Sequence, residues 1–304
     1  MSTTAASANF KHMKTINSVS GGQTSAYMMK HYPADYNLFA LVELEDPACA
    51  PKDPWIKKYF ESKTGREFIA TAEEDAIAYT LHDMEQFTGQ EITFVQNETF
   101  DQLLRNHNLL PSPIRRFCTQ DMKVRPIAKW VVDNIGEPVE MRIGFRGGED
   151  KRVDRAKAAH NACGFRTEKF IIGKHPSGKN KWFEFDYAVN AFPLHEAGIF
   201  KDTIVEYWRD KPVRFAERNN CIGCFHRNPI LLKLMSQKHP EKYDWFVRQE
   251  EKATTKQAKN GNIMAWNMWR SDGVKYEKIR KHRTQLTMAD TEGFLECDSG
   301  YCGL

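Results

Sequence analysis

The hexapeptide Ser20-Gly21-Gly22-Gln23-Thr24-Ser25 joins a predicted strand to a predicted helix. Glycines let such a backbone take positive φ and approach a phosphate closely. Free amides at a helix start favour an anion, and Ser20, Thr24 and Ser25 add hydroxyl donors. No lysine follows, so the loop is neither GxxxxGK[ST] nor GxGxxG; a tight turn with a Ser or Thr cap is the plain alternative. Four of the seven cysteines form two close pairs, Cys221/Cys224 and Cys297/Cys302. A two-residue gap lets both thiolates face one ion. The two pairs therefore predict a shared four-cysteine site for Zn²⁺ or an iron–sulfur cluster, tying the tail down. His226 is close enough to Cys224 to replace a ligand, and a thiol redox pair is the alternative.

A basic cluster lies between these features: Arg115, Arg116, Lys123, Arg125, Arg142 and Arg146. All fall near predicted strand or helix ends, where open α/β sheets bind ligands. Arginine offers phosphate a rigid donor fork and lysine a point charge. Arg116, Lys123 and Arg146 are the first choices for anion contacts; a solvated face accounts for Arg115, Arg125 and Arg142. Glu149 is placed either to orient Arg146 or to bind Mg²⁺. Cys118, flanked by Arg116 and Lys123, sits where a thiolate is favoured, or is a small side chain buried behind the loop.

The elements that must position these residues alternate. Strands are predicted at Lys14–Val19, Asn37–Glu43, Glu91–Val95, Val139–Phe145, Lys169–Ile172 and Lys181–Phe185. Helices are predicted at 26–30, 70–88, 100–106, 124–132, 154–161 and 199–208, and a loop over 44–54. This alternation predicts an α/β domain with a mostly parallel, Rossmann-like sheet. From about Val213 the texture changes to helices near 229–235 and 243–252. We therefore expect an α/β domain over 1–212 and a helical, cysteine-containing appendage over 213–304.

Composition narrows the class. The chain has 304 residues, 41% hydrophobic, with a formal net charge of +4. That excludes a disordered chain and permits an anionic ligand without demanding one. No apolar run approaches the roughly 20 residues of a membrane span, and no secretory signal is evident. A cytoplasmic location is expected, and an odd cysteine count argues against a disulfide framework.

The loop resembles the SGGxxS signature of the N-type ATP pyrophosphatases, or adenine nucleotide alpha hydrolases. The chain is most similar to the phosphoadenylylsulfate (PAPS) reductase-like branch carried by bacteriophages and mobile elements. Further similar motifs are Arg116, Cys118, Lys123 and Pro126 in RRFCTQDMKVRP, Gly144, Arg146 and Glu149 in GFRGGED, and Pro193-Leu194 in FPL. The resemblance covers roughly Thr15 to Asp210. It implies that Ser20 to Ser25 hold nucleotide phosphates, with Gly144 and Glu149 beside them and Mg²⁺ on the leaving group. The implied activity is ATP-dependent adenylation of an unidentified acceptor, in sulfur transfer or nucleic-acid modification. A sulfonucleotide reductase is the alternative, with Cys302 or Cys297 as nucleophile; the tail reads Tyr301-Cys302-Gly303-Leu304 and lacks the reductases' final His. A third reading is a non-catalytic, nucleic-acid-associated protein. It rests on Lys256, Lys259, Arg270, Lys275, Lys278, Arg280, Lys281 and Arg283 interspersed with Trp266, Trp269 and Tyr276. A homodimer is left open.

Overall fold

The computed structural model describes residues 13–258 and 260–282. Its strands are β1 (Thr15–Val19), β2 (Tyr36–Ala40), β3 (Glu43–Leu44), β4 (Ala70–Thr71), β5 (Thr93–Val95), β6 (Val139–Arg142), β7 (Arg166–Lys174) and β8 (Asn180–Ala191). Six of them form one sheet of order β5-β2-β1-β6-β8-β7, and β3 pairs with β4. Within the sheet only β7 runs antiparallel, against β8. The architecture is thus a mixed, mainly parallel sheet flanked by helices, followed by a largely helical C-terminal region.

Alternating strand residues go to opposite faces. Phe39 and Leu41 join one core with α1 (Gln23–His31), α2 (Pro54–Thr64) and α3 (Ile77–Thr88). Leu38 and Ala40 join the other, with the helices over 125–134 and 150–158. Sequence reasoning misses α2, although Asp53 caps it through Trp55 N, Pro54 opens it and Gly65 closes it at φ +69°. It also reads 70–88 as one helix, whereas Ala70–Thr71 pair with β3 and helix begins only at Ile77.

Beyond β5 come α4 (Phe100–His107) and a short α5 (Phe117–Thr119). A wide turn at Gln120–Val124 then leads into α6 (Arg125–Asn134). After β6 comes α7 (Asp150–Ala158); after β8 come α8 (Pro193–Glu196) and α9 (Lys201–Trp208), the latter on the α1 side. The C-terminal region holds α10 (Pro229–Lys238), α11 (Pro240–Thr255) and α12 (Tyr276–Lys281). These share one apolar cluster with β3, β4 and α4, in which Phe100 and Leu103 meet Trp245, Phe246, Trp269 and Tyr276. Trp245 Nε1 donates to Asp101 at 2.9 Å and Trp269 Nε1 to the Phe246 carbonyl at 2.9 Å.

Two of the three aromatics read as interleaved with basic residues, Trp269 and Tyr276, are therefore core, while Trp266 is exposed. Arg270 pairs with Asp272, Arg280 with Asp244 and Glu277, and Lys281 with Glu277. Lys259 and Arg283 lie outside the described residues. Among the described residues no helix is long and apolar enough to cross a membrane.

Candidate anion site at the sheet switch point

From β1 the chain builds the sheet toward β2 and β5, then returns to the other side of β1 with β6 and β8. The loops after β1 and β6 diverge at this reversal, where open sheets place their ligands. Gly21 takes φ +72°, and a Cβ there would lie 2.6 Å from Ile77 Cδ1. Both the conformation and the space therefore require glycine. Ser20 N donates to Ser25 Oγ at 3.2 Å, and Ser25 Oγ donates to the Gly22 carbonyl at 3.0 Å. Among the described residues no side chain caps α1, and no acidic residue lies in its first turn. The amides of Gln23, Thr24 and Ser25 thus start a helix without a side-chain acceptor. Gly144, just after β6, approaches so closely that a Cβ would sit 3.3 Å from Thr24 Cγ2.

The predicted basic residues divide by partner. Glu149 accepts the Arg146 backbone amide at 2.7 Å and Arg146 Nε at 3.3 Å, and also pairs with Arg152 at 2.5 Å. Burial pushes the Glu149 carboxyl up, but the Arg146 hydrogen bonds and the Arg152 charge outweigh it and hold it below its usual range. Glu149 thus holds Arg146 through both its backbone amide and its guanidinium. Arg125 is consumed by Asp121 and Glu168. Arg142 is held by Glu140 and by the carbonyls of Tyr32 and Pro33. Arg115 lies over the Trp266 ring at 5.0 Å. Lys123, on the wide turn before α6, reaches buried Glu73 at 3.6 Å. Arg116 lies beside His226, whose imidazole is pushed down to about 4 by burial and by the Arg116 charge. Cys118 packs with Cys221 against the C-terminal cluster.

A strap over residues 213–228 crosses the loop. Ile222 N donates to the Ala72 carbonyl at 2.8 Å. Asn219 Nδ2 donates to Ser20 Oγ at 3.2 Å and covers Gly22, where a Cβ would lie 2.6 Å from it. Between Asn219 and Glu217, whose backbone amide bonds Glu74, stands Arg218. It is 3% exposed, its Nε has no hydrogen-bond partner, and no acidic side chain pairs with it among the described residues. A buried charge without a counterion is costly. Arg218, Asn219 and Glu73 escape sequence reasoning; the polar run Arg218-Asn219-Asn220 directly before Cys221 is the available signal.

Burial, then the Glu217 charge, push the adjacent Glu74 carboxyl up to about 7 against the opposing pull of Arg227. The folded protein thus holds this proton more tightly than the unfolded chain. Its stability falls as pH rises from the ordinary carboxyl range toward about 7, and remains lower above that. We predict that Glu74→Gln is more stable than wild type at pH 8, on the order of 3 kcal/mol, and matches it near pH 4.5. Urea unfolding at the two pH values checks this; equal stability at both contradicts it.

The expected four-cysteine centre is corrected. Among the described residues no group of three or more His, Cys, Asp or Glu side chains could hold a metal ion. This overturns the zinc or iron–sulfur cofactor and the metal-binding role given to Cys221 and Cys224; Cys297 and Cys302 lie outside the described residues. Cys221–Cys224 instead form a packed turn. Cys224 N donates to the Cys221 carbonyl at 3.0 Å, and Ile222 and Cys224 are buried. The Gly223 carbonyl accepts Tyr276 OH at 2.9 Å, and Gly223 lies on the Phe246 ring, where a Cβ would stand 2.3 Å away. The spacing of two thiols therefore serves backbone packing. Comparison of the chain with family models, curated proteins and solved structures finds no match.

Proposed function

We propose that the chain is a nucleotide-binding enzyme of the ATP pyrophosphatase type, which adenylates an acceptor. The observation that carries this reading is Arg218, a buried guanidinium without an anionic partner among the described residues, on the strap covering the β1–α1 loop. A polyphosphate on that loop would meet the first-turn amides of α1 and gain Arg218 as counter-charge. An acceptor oxygen would attack the α-phosphorus, the α–β bridging bond would break, and pyrophosphate would leave with the electron pair. Donors fixed around the leaving group stabilise the charge that develops there. Arg146, oriented by Glu149, and Lys123, opposite Glu73, are the further cations of this reading. The resemblance of the SGG, RRFCTQDMK and GFRGGED motifs to the PAPS reductase-like branch supports the same assignment.

Incubation with ATP labelled at the α-phosphate tests the reaction. AMP and pyrophosphate in equal amounts are expected, because water slowly replaces the missing acceptor. ADP and phosphate as products would contradict adenylation, and absence of turnover with ATP bound would contradict the enzyme reading.

A further inference from the structure

The sheet edge carries a feature that nucleotide chemistry does not use. β8 pairs with β6 over Ala188–Ala191, so among the described residues Asn180–Asp186 have β7 as their sole strand partner. The result is a two-stranded ribbon. Its closing turn is built by Pro176 and by Gly178 at φ +78°, with His175 N bonded to the Lys179 carbonyl at 2.8 Å. Near its base, Glu168 accepts Gln120 and Arg125. The ribbon therefore leaves the sheet across the segment that carries Cys118 and Lys123. It runs six residues further to Lys174, about 20 Å at strand rise.

That shaft is apolar and basic together. Ile171 and Trp182 are cross-strand partners, 55% and 54% exposed, and Phe183, the next residue of β8, is exposed on the opposite face of the ribbon. From Ile171 to Phe183 the sequence holds Lys174, Lys179 and Lys181 and no acidic residue. None of these lysines has an ion-pair partner among the described residues; Lys169, further down, pairs with Glu184. Exposed aromatic area is uncommon on a surface without a partner.

We propose that this ribbon docks a single-stranded nucleic-acid segment, its phosphates on Lys174, Lys179 and Lys181 and a base stacked on Trp182. The charge selects a polyanion, and the exposed Trp182 ring supplies the stacking surface that unpaired bases require. A second copy would set three unpaired lysines against three more. A bilayer would favour apolar residues at the tip, whereas the tip reads Lys174-His175-Pro176-Ser177-Gly178-Lys179 and the apolar side chains lie along the shaft. The inference stands independently of the nucleotide reading.

Fluorescence anisotropy of the full chain with labelled 20-nucleotide oligo(dT) and oligo(U), over a range of salt, tests it. The two oligonucleotides separate DNA from RNA as the source. Expected is binding that weakens with salt, with a log–log slope reduced in magnitude by about 2 in the K174Q/K179Q/K181Q variant, as three lost phosphate contacts to a single strand require. Trp182→Ala is expected to weaken binding about tenfold with the slope unchanged. Both variants alter exposed side chains, so unchanged circular dichroism and melting are expected. Wild-type affinity in both variants would overturn the proposal. So would binding to phosphatidylserine vesicles but to neither oligonucleotide, or a wild-type dimer that Trp182→Ala dissociates without oligonucleotide binding.

Discussion

Gly21→Ala is expected to destabilise the protein by about 2–5 kcal/mol and to abolish ligand binding at the β1–α1 loop. Two terms add. A non-glycine residue at φ +72° costs about 1–2 kcal/mol. Its Cβ would also meet Ile77 Cδ1 at 2.6 Å, and Ile77 is fully buried, so overpacking contributes about 1–3 kcal/mol. Relief requires the loop or α3 to move, and either shift displaces the α1 amides. Gly22→Ala is the internal control. Its φ is −99°, and its Cβ would crowd the side chain of half-buried Asn219, Nδ2 at 2.6 Å and Cγ at 3.3 Å, with Ser20 Oγ at an ordinary 3.8 Å. It should cost little stability while breaking the Asn219–Ser20 contact. Urea unfolding of the two variants separates conformational from steric cost; equal effects would contradict the account.

Arg218→Met is expected to act in opposite directions on the free and the liganded protein. Without ligand it removes a buried, unpaired charge and keeps an apolar stem, so stability should rise by about 1–3 kcal/mol. With ATP it removes a charge-assisted contact of about 1.5–3 kcal/mol, so affinity should fall about 10- to 150-fold. A structural arginine would behave otherwise, since its loss would lower stability and leave the ligand indifferent. Thermal melting with and without ATP reads both effects on one sample.

The residues that make these predictions differ in how far sequence exposes them. The β1–Gly–Gly–α1 unit was legible because a strand, two glycines and a helix are local signals. The pairing of Arg146 with Glu149 was legible for the same reason, at three residues' separation. The turn at Cys221–Cys224 misled, because its spacing suits a metal equally well. What decides the matter is Phe246 beneath Gly223 and the Ala72 carbonyl on Ile222, from segments about 20 and 150 residues away. Arg218 carried only the weak signal of a polar run before Cys221, since its lack of a counterion among the described residues is a property of three-dimensional neighbours. The ribbon reads in sequence as two short strands because its outer half gains no period-two burial from a core. Asp53-Pro54 and Gly65, by contrast, delimit α2 by ordinary capping rules, and that helix could have been found.

In the proposed function an anionic nucleotide lies on the β1–α1 loop with Arg218 as its counter-charge. Calorimetric titration of ATP and of pyrophosphate into wild type and Arg218→Met, in magnesium-containing buffer, tests this. Expected is one site per chain for both ligands in wild type, and at least tenfold weaker binding in a variant that melts at a higher temperature without ligand. Equal affinities in the two proteins, or no binding of either ligand to wild type, would contradict it.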